Sequence, residues 1–220
     1  MIKFFQRLIN ERNKFSSQSG QDQFAYNLSG DRGTYLEIGA NHPQIDSNTW
    51  NLETYCQWTG ISVEMDQSFR KDWEHNFKRK NLIFWQNAFD VDYLKVIKEN
   101  NFSSRFNYLS CDIDPASQTL EILKHLIGLR IIFDFISFEH DSYKEGNKYK
   151  NEALSFLKKH GYKSVVDDVY PRSKKHKFFE TWFVYGDIDI KFYKYNEWKG
   201  KHYSFSKFYK KSKIKSWSVK

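Results

Sequence analysis

Polar side chains that could do chemistry follow a series of short apolar segments, each about the length of a β-strand. In an open α/β sheet, ligands bind in the crevice beyond the carboxyl ends of the parallel strands. Carboxylates there suit a cationic or hydroxyl-rich ligand, because they accept hydrogen bonds at two oxygens without donating. The residues that end five successive segments are Glu37, Glu64, Asn87, Asp112 and Glu139 with His140.

The first segment begins at Thr34 and leads through Glu37 into a turn with a single glycine, Gly39. A run of N-cap residues at 46–49 then opens a helix. The phosphate-binding loop of a dinucleotide-binding fold carries three glycines, whereas this turn has one. An acid before the turn favours the amino group of an amino acid or a ribose. The pattern therefore indicates S-adenosylmethionine (SAM) rather than a dinucleotide.

Helical patterns alternate with the strand-like segments, which predicts an α/β fold. The last two strands are too close in sequence for a crossover helix, so they should form an antiparallel hairpin. We expect a doubly wound, mostly parallel, seven-stranded Rossmann-like sheet that ends in this hairpin. The predicted strands cover about 34–37, 60–66, 81–88, 106–112, 132–138, 162–169 and 178–185. The predicted helices cover about 1–15, 21–29, 47–58, 67–79, 91–100, 117–127 and 149–160.

Length and composition favour one domain over residues 1–190, with a helical entry at 1–30 and a separate tail at 191–220. The chain has 220 residues and two cysteines, Cys56 and Cys111. Two cysteines make no disulfide framework, so we expect a reduced, cytoplasmic location. No signal-peptide pattern and no membrane-spanning apolar run is expected from the sequence.

Positive charge is concentrated at the C-terminus. The chain carries a net charge of +8, and residues 191–220 hold ten lysines against one acid, Glu197, which gives +9 and leaves −1 for the rest. This basic, aromatic tail is either a solvated end or a contact for an anionic partner, such as nucleic acid, a charged glycan or lipid headgroups.

Several stretches together resemble the class I SAM-dependent methyltransferases, and among them the FkbM type. The resemblance covers about residues 16–170. It is most specific where a Ser-Gln-x-Gly-Gln-Asp entry is followed by Gly-Ala-Asn. The matching stretches are 17–22, 35–41, 47–49 with 52–53, 61–64, 87–88, 108–114 and 135–139.

The resemblance implies a cofactor site for SAM. Glu64 would accept hydrogen bonds from the ribose hydroxyls, and Asn87 or Ala88 would border the adenine. The N-terminal entry, with Gln18 and Gln21 beside Asp22, would cover the cofactor. The residues implied beside the methionine part are Glu37, Gly39 and Asn41, and Asp112 would border the cofactor as well.

Asp112 is the main candidate for chemistry, with Asp114 and His140 as further catalytic candidates. It could act as a general base or hold the acceptor hydroxyl. It could instead bind Mg²⁺ or Mn²⁺ together with Glu139, His140 and neighbouring acids, since oxygen-rich clusters suit these ions. The FkbM pattern usually continues Asp-x-Glu-Gly-x-Glu, whereas this chain reads Asp-Ile-Asp-Pro-Ala-Ser from residue 112. This departure concerns the acceptor site.

The sequence thus predicts a SAM-dependent methyltransferase that methylates a hydroxyl on a sugar, a glycan or a small metabolite. One alternative is a nucleic-acid methyltransferase that uses the basic tail. Another is a non-catalytic binding module that retains the fold.

Overall fold

The computed structural model describes residues 17–76, 78–170, 177–186 and 193–194. The predicted helix at 1–15 and nearly all of the tail at 191–220 lie outside the described residues. The chain divides into two compact units, Met1–Asp112 and Ile113–Lys220. Each unit is built around its own set of hydrogen-bonded strands.

The first unit contains four strands and four α-helices among its described residues. Short 3₁₀ turns follow β2 and β3, at Gln67–Phe69 and Ala88–Asp90. The strands are β1 (Thr34–Ile38), β2 (Thr59–Glu64), β3 (Leu82–Trp85) and β4 (Arg105–Cys111). The helices are α1 (Gln21–Ser29), α2 (Trp50–Cys56), α3 (Arg70–His75) and α4 (Tyr93–Glu99).

These four strands are all parallel and lie in the order β3-β2-β1-β4. The two central strands, β1 and β2, are almost continuously buried. Such runs are typical of parallel strands that are covered on both faces. The register sets Ile38 opposite both Val63 and Cys111, so β1, β2 and β4 end at the same edge.

The second unit begins with α5 (Ala116–Gly128), whose buried residues recur at helical spacing. The strand β5 (Ile132–Glu139), the short helix α6 (Ser142–Glu145) and α7 (Lys148–Lys159) follow. Next come β6 (Tyr162–Val169), β7 (Glu180–Tyr185) and the two-residue β8 (Tyr193–Lys194). Both β5 and β6 pair antiparallel with β7, and β8 pairs parallel with β6.

The predicted α/β fold with a C-terminal antiparallel hairpin is confirmed, and the differences are local. The helix predicted at 67–79 is a 3₁₀ turn followed by a short α-helix that ends at His75. The helix predicted from residue 47 begins at Trp50, since Thr49 before it has a φ of −120°, outside the helical range. Among the described helices, none combines the length and apolar character that a bilayer-spanning segment requires.

Replacing Gly60 by alanine should destabilise the first unit. A Cβ at this position of β2 would lie 2.5 Å from the Tyr35 carbonyl oxygen and 2.6 Å from its ring, and a backbone atom cannot move aside cheaply. We expect Gly60→Ala to cost about 1–3 kcal/mol in urea unfolding. Gly128→Ala is the matched control, because its Cβ would meet nothing within 4 Å and alanine favours a helix. Equal stability of the two variants would contradict the predicted clash.

Candidate cofactor and active site

The turn after β1 is fixed against the end of β2 by backbone hydrogen bonds. The N–H groups of Gly39 and Ala40 both donate to the carbonyl oxygen of Val63, at 3.0 and 3.1 Å. Gly39 has a φ of +78° and Asn41 a φ of +50°, in the left-handed region that glycine and asparagine tolerate best. The turn therefore has a defined shape and leaves Asn41 exposed at the edge of the sheet.

Glu64, the last residue of β2, is held beside this turn. Its Oε2 accepts the backbone N–H of Asn41 at 2.7 Å, and its Oε1 accepts the backbone N–H of Asp66 at 2.7 Å. The carboxylate is partly exposed, and each of its oxygens can accept a further hydrogen bond. The structure thus brings Glu64, Gly39 and Asn41 together.

Glu37 lies beneath the turn rather than at the open edge. Its side chain is buried, and its Oε2 accepts hydrogen bonds from Ser62 Oγ at 2.8 Å and from Arg79 Nη2 at 3.2 Å. Burial raises the pKa of the Glu37 carboxyl, and the Arg79 guanidinium partly offsets that rise. The sequence placed this carboxylate at the crevice, whereas in the structure it serves contacts inside the unit.

Arg79 is the buried partner of Glu37, and the sequence analysis did not predict it. Its Nη1 donates to Thr49 Oγ1 at 2.9 Å, its Nε lies 2.9 Å from Glu53 Oε2, and its guanidinium carbon lies 4.3 Å from the centroid of the Trp73 ring. Within the Lys-Arg-Lys run at 78–80 it looks like an ordinary solvated cation. The available signal was Glu37, an acid inside the apolar segment 35–38, because a buried carboxylate needs a cation as its partner.

The N-terminal entry, residues 17–22, is held by buried hydrogen bonds. Asp22 is fully buried and accepts hydrogen bonds from Ser17 Oγ at 2.5 Å and from Asn51 Nδ2 of α2 at 3.1 Å. Gln21 is also buried, and its Oε1 accepts the backbone N–H of Ser19 at 2.9 Å. Gln21 and Asp22 are thus held by contacts inside the unit, while Gln18 is partly exposed, and their place over the cofactor stays a prediction.

Asn87 and Ala88 follow β3 at the same edge. Asn87 is exposed, and its Oδ1 accepts the backbone N–H of Phe89 at 2.9 Å. Ala88 is buried. Two large apolar side chains lie exposed after neighbouring strands, Met65 after β2 at 64 % and Phe89 after β3 at 38 %. Glu64 and Trp85, the last residues of β2 and β3, lie opposite each other in the register. Met65 and Phe89 therefore follow adjacent strand ends.

Asp112 directly follows β4, next to the turn of β1. Its backbone N–H donates to the carbonyl oxygen of Ile38 at 3.0 Å, and its side chain is exposed. One residue before the end of the strand, Ser110 Oγ accepts a hydrogen bond from Asn48 Nδ2 at 2.9 Å. Asp112 therefore lies at the same sheet edge as Gly39 and Glu64.

The remaining candidates belong to the second unit. Asp114 is exposed and Glu139 is partly buried, whereas His140 is completely buried. His140 Nδ1 accepts the backbone N–H of Ser142 at 3.3 Å and lies 2.8 Å from its Oγ. The other ring nitrogen, Nε2, lies 3.0 Å from Thr181 Oγ1. This geometry puts the ring proton on Nε2.

The predicted metal site at Asp112, Glu139 and His140 is not formed by the described residues. Both ring nitrogens of His140 are engaged inside its unit, so neither is open to a metal. Within the described parts of the chain, no group of three or more histidine, cysteine, aspartate or glutamate side chains is arranged to hold an ion. The site geometry therefore gives no support to the predicted Mg²⁺ or Mn²⁺.

Solved structures share this architecture, although no protein-family model and no curated protein matches the sequence. A Streptococcus pneumoniae protein assigned as a tRNA (m1A22) methyltransferase, in complex with SAM, has a TM-score of 0.51 and 16 % identity over 80 % of this chain and 76 % of its own. SAM-bound fibrillarin from Aeropyrum pernix has a TM-score of 0.51 and 13 % identity over 79 % and 76 %. A Clostridium thermocellum protein assigned as an rRNA methylase has a TM-score of 0.50 and 10 % identity over 78 % and 97 %.

These likenesses establish the fold. The chain has the Rossmann-like fold of SAM-dependent methyltransferases, in agreement with the strand order of the first unit and the hairpin of the second. Two of the three structures hold SAM itself.

The buried imidazole of His140 should make stability depend on pH. Burial lowers the pKa of His140 from 6.5 to about 4, so it stays neutral in the folded chain while the unfolded chain takes up a proton below about 6.5. The stability is present above pH 6.5 and is lost as the pH falls toward 4. Between pH 7 and 5 the loss should be about 2 kcal/mol in urea unfolding.

The variant His140→Gln should show a flatter pH profile in that window, whatever its stability at pH 7. His160→Gln serves as the matched control, since His160 is exposed on the end of α7. A His140→Gln profile as steep as that of the unmodified chain would contradict the assignment of a neutral buried imidazole.

Proposed function

We propose that the protein is a SAM-dependent methyltransferase of FkbM type that methylates a hydroxyl oxygen. The proposed acceptors are a sugar, a glycan or a small metabolite. The observation that carries the proposal is the position of Glu64, whose carboxylate is aligned by the backbone N–H groups of Asn41 and Asp66 at the carboxyl edge of the parallel strands. The fold of the first unit supplies the supporting context.

The cofactor lies along the ends of β1, β2 and β3 in this proposal. Glu64 accepts hydrogen bonds from both ribose hydroxyls, using the acceptor positions that its two backbone contacts leave. The backbone of Gly39 and Asn41 approaches the methionine part, where a side chain at Gly39 would be in the way. The exposed side chains of Met65 and Phe89 enclose the adenine, with Asn87 and Ala88 at its edge.

Transfer moves one methyl group from sulfur to oxygen. Bound SAM would supply an electrophilic methyl group: a bond would form from the acceptor oxygen to the methyl carbon as the carbon–sulfur bond breaks, and the electron pair left on sulfur would give S-adenosylhomocysteine. The acceptor proton goes to Asp112, an exposed carboxylate fixed at the end of β4 by its backbone contact with Ile38. Much of the rate comes from alignment of the two reactants, because the sulfonium is already a good leaving group.

A second candidate function is methylation of a nucleic acid. The observation that favours it is the segregation of charge, with ten lysines in residues 191–220 against a net −1 in the rest of the chain. Under this alternative the cofactor site is unchanged, and only the acceptor differs. A chain that binds SAM weakly or not at all would be the non-catalytic module.

Glu64→Gln should weaken SAM binding in isothermal titration calorimetry. The amide loses the charge and one acceptor oxygen, and hydrogen bonds to charged groups contribute about 1.5–3 kcal/mol each, so we expect a loss of tenfold or more. S-adenosylhomocysteine should lose a similar factor, because it has the same ribose. Glu99→Gln, an exposed change on α4, is the matched control. Unchanged affinity in Glu64→Gln would contradict the proposed ribose contact.

Asp112→Asn should separate binding from transfer. We expect SAM affinity to be retained while methyl transfer, followed as S-adenosylhomocysteine release, falls by about 10²–10⁴. Asp72→Asn on α3 is exposed and provides the control. The acceptor panel combines sugars, small hydroxylated metabolites and RNA, each with the full chain and with a chain ending at residue 190. Activity on RNA that disappears in the shorter chain would favour the second candidate.

A further inference from the structure

An exposed aromatic ring with two cations lies on the second unit. Tyr143, in the short helix after β5, is 42 % exposed. The ammonium groups of Lys144 and Lys177 lie 5.2 and 5.5 Å from the centroid of its ring. Both distances fall within the ~6 Å range of cation–π attraction, yet they leave the ring in contact with solvent.

Backbone hydrogen bonds join the two segments that carry Tyr143 and Lys177. The N–H of Tyr143 donates to the carbonyl oxygen of Phe178 at 3.1 Å. The N–H groups of His140 and Asp141 donate to the carbonyl oxygen of Phe179 at 2.7 and 3.0 Å. These hydrogen bonds hold the backbone of the Tyr143 turn against residues 178–179, which brings the Tyr143 ring and the Lys177 side chain to the same place on the unit.

Asp141 adds a further constraint through Lys144. Its Oδ2 lies 2.5 Å from Lys144 Nζ, and the hydrogen bond to Asp141 raises the pKa of Lys144, so the ammonium stays charged. The buried side of the turn is closed by the contact of Ser142 Oγ with His140 Nδ1 at 2.8 Å.

A second pair of the same kind follows on α7. The ammonium of Lys148 lies 5.1 Å from the centroid of the Tyr149 ring, which is partly exposed. Two ring-and-cation pairs, six residues apart in the chain, match a polymer whose repeating unit carries one planar base and one phosphate. Unpaired bases stack on such rings, whereas bases within a duplex offer no free face.

We propose that the tyrosine–lysine surface, formed by Tyr143, Lys144, Lys148, Tyr149 and Lys177, binds single-stranded nucleic acid. Bases stack on the two tyrosines, and the lysines contact the phosphates. The proposal is independent of methyl transfer, because all five residues belong to the second unit and binding is measured without SAM.

The test compares a short oligouridylate with an abasic oligomer of equal length, by fluorescence anisotropy on the full chain. Tyr143→Ala should weaken binding of the oligouridylate by about fivefold or more and leave the abasic oligomer unchanged, because only the first has bases to stack. Tyr143→Phe keeps the ring and should retain affinity. The comparison isolates stacking from any contribution of the basic tail, which acts on both oligomers alike.

The double variant Lys144→Gln/Lys177→Gln should weaken both oligomers and flatten the dependence of affinity on salt. Lys98→Gln on α4 removes one exposed cation elsewhere and should change neither. Circular dichroism confirms that each variant is folded. Equal losses for both oligomers in Tyr143→Ala, or none, would overturn the proposal. So would heparin binding with the same dependence on Tyr143, since that identifies an anionic glycan as the partner.

Discussion

The buried guanidinium of Arg79 is the constraint on which the first unit depends. Removing a cation and two carboxylates from water has a large unfavourable free energy, which is offset only when each charge has close partners of opposite charge or hydrogen-bonding groups. Arg79 provides them for Glu37 of β1 and Glu53 of α2, and it also contacts the Trp73 ring of α3. One side chain therefore fixes the spacing of two helices and the central strand, and the loops between them take their positions from it.

The buried network around Arg79 also positions the residues at the carboxyl edge of the strands. Ser62 contacts both Glu37 and Arg79, so β2 is tied to the same network, and two residues further on Glu64 meets the backbone of Asn41. The buried carboxylate of Glu37 supports the structure, whereas the partly exposed carboxylate of Glu64 retains acceptor capacity for a ligand. Two acids at adjacent strand ends thus serve opposite purposes, and their burial distinguishes them.

The second unit repeats this division between buried and exposed polar groups. His140 and Thr181 lie inside it and are in hydrogen-bond contact with each other. Thr181 Oγ1 in turn donates to Asp167 Oδ1 at 3.1 Å. The ion pair of Asp167 with Lys150 continues this series at 2.5 Å. Such a series holds β5, β6 and β7 in register and leaves the turn that carries Tyr143 well defined.

The sequence by itself determined the fold and the acids at the ends of the strands, because alternating strand and helix patterns depend on neighbours along the chain. It predicted helix 21–29 and strand 162–169 with the boundaries that the structure has, and it placed Glu64 beside the turn of Gly39. Only the tertiary structure decided which acids face inward. The position of Arg79 follows from contacts between residues up to 42 positions apart, and the engagement of His140 with Thr181 spans 41, so no local pattern records either. Burial is a property of the packed chain, and it separates a structural carboxylate from one that remains open to a ligand.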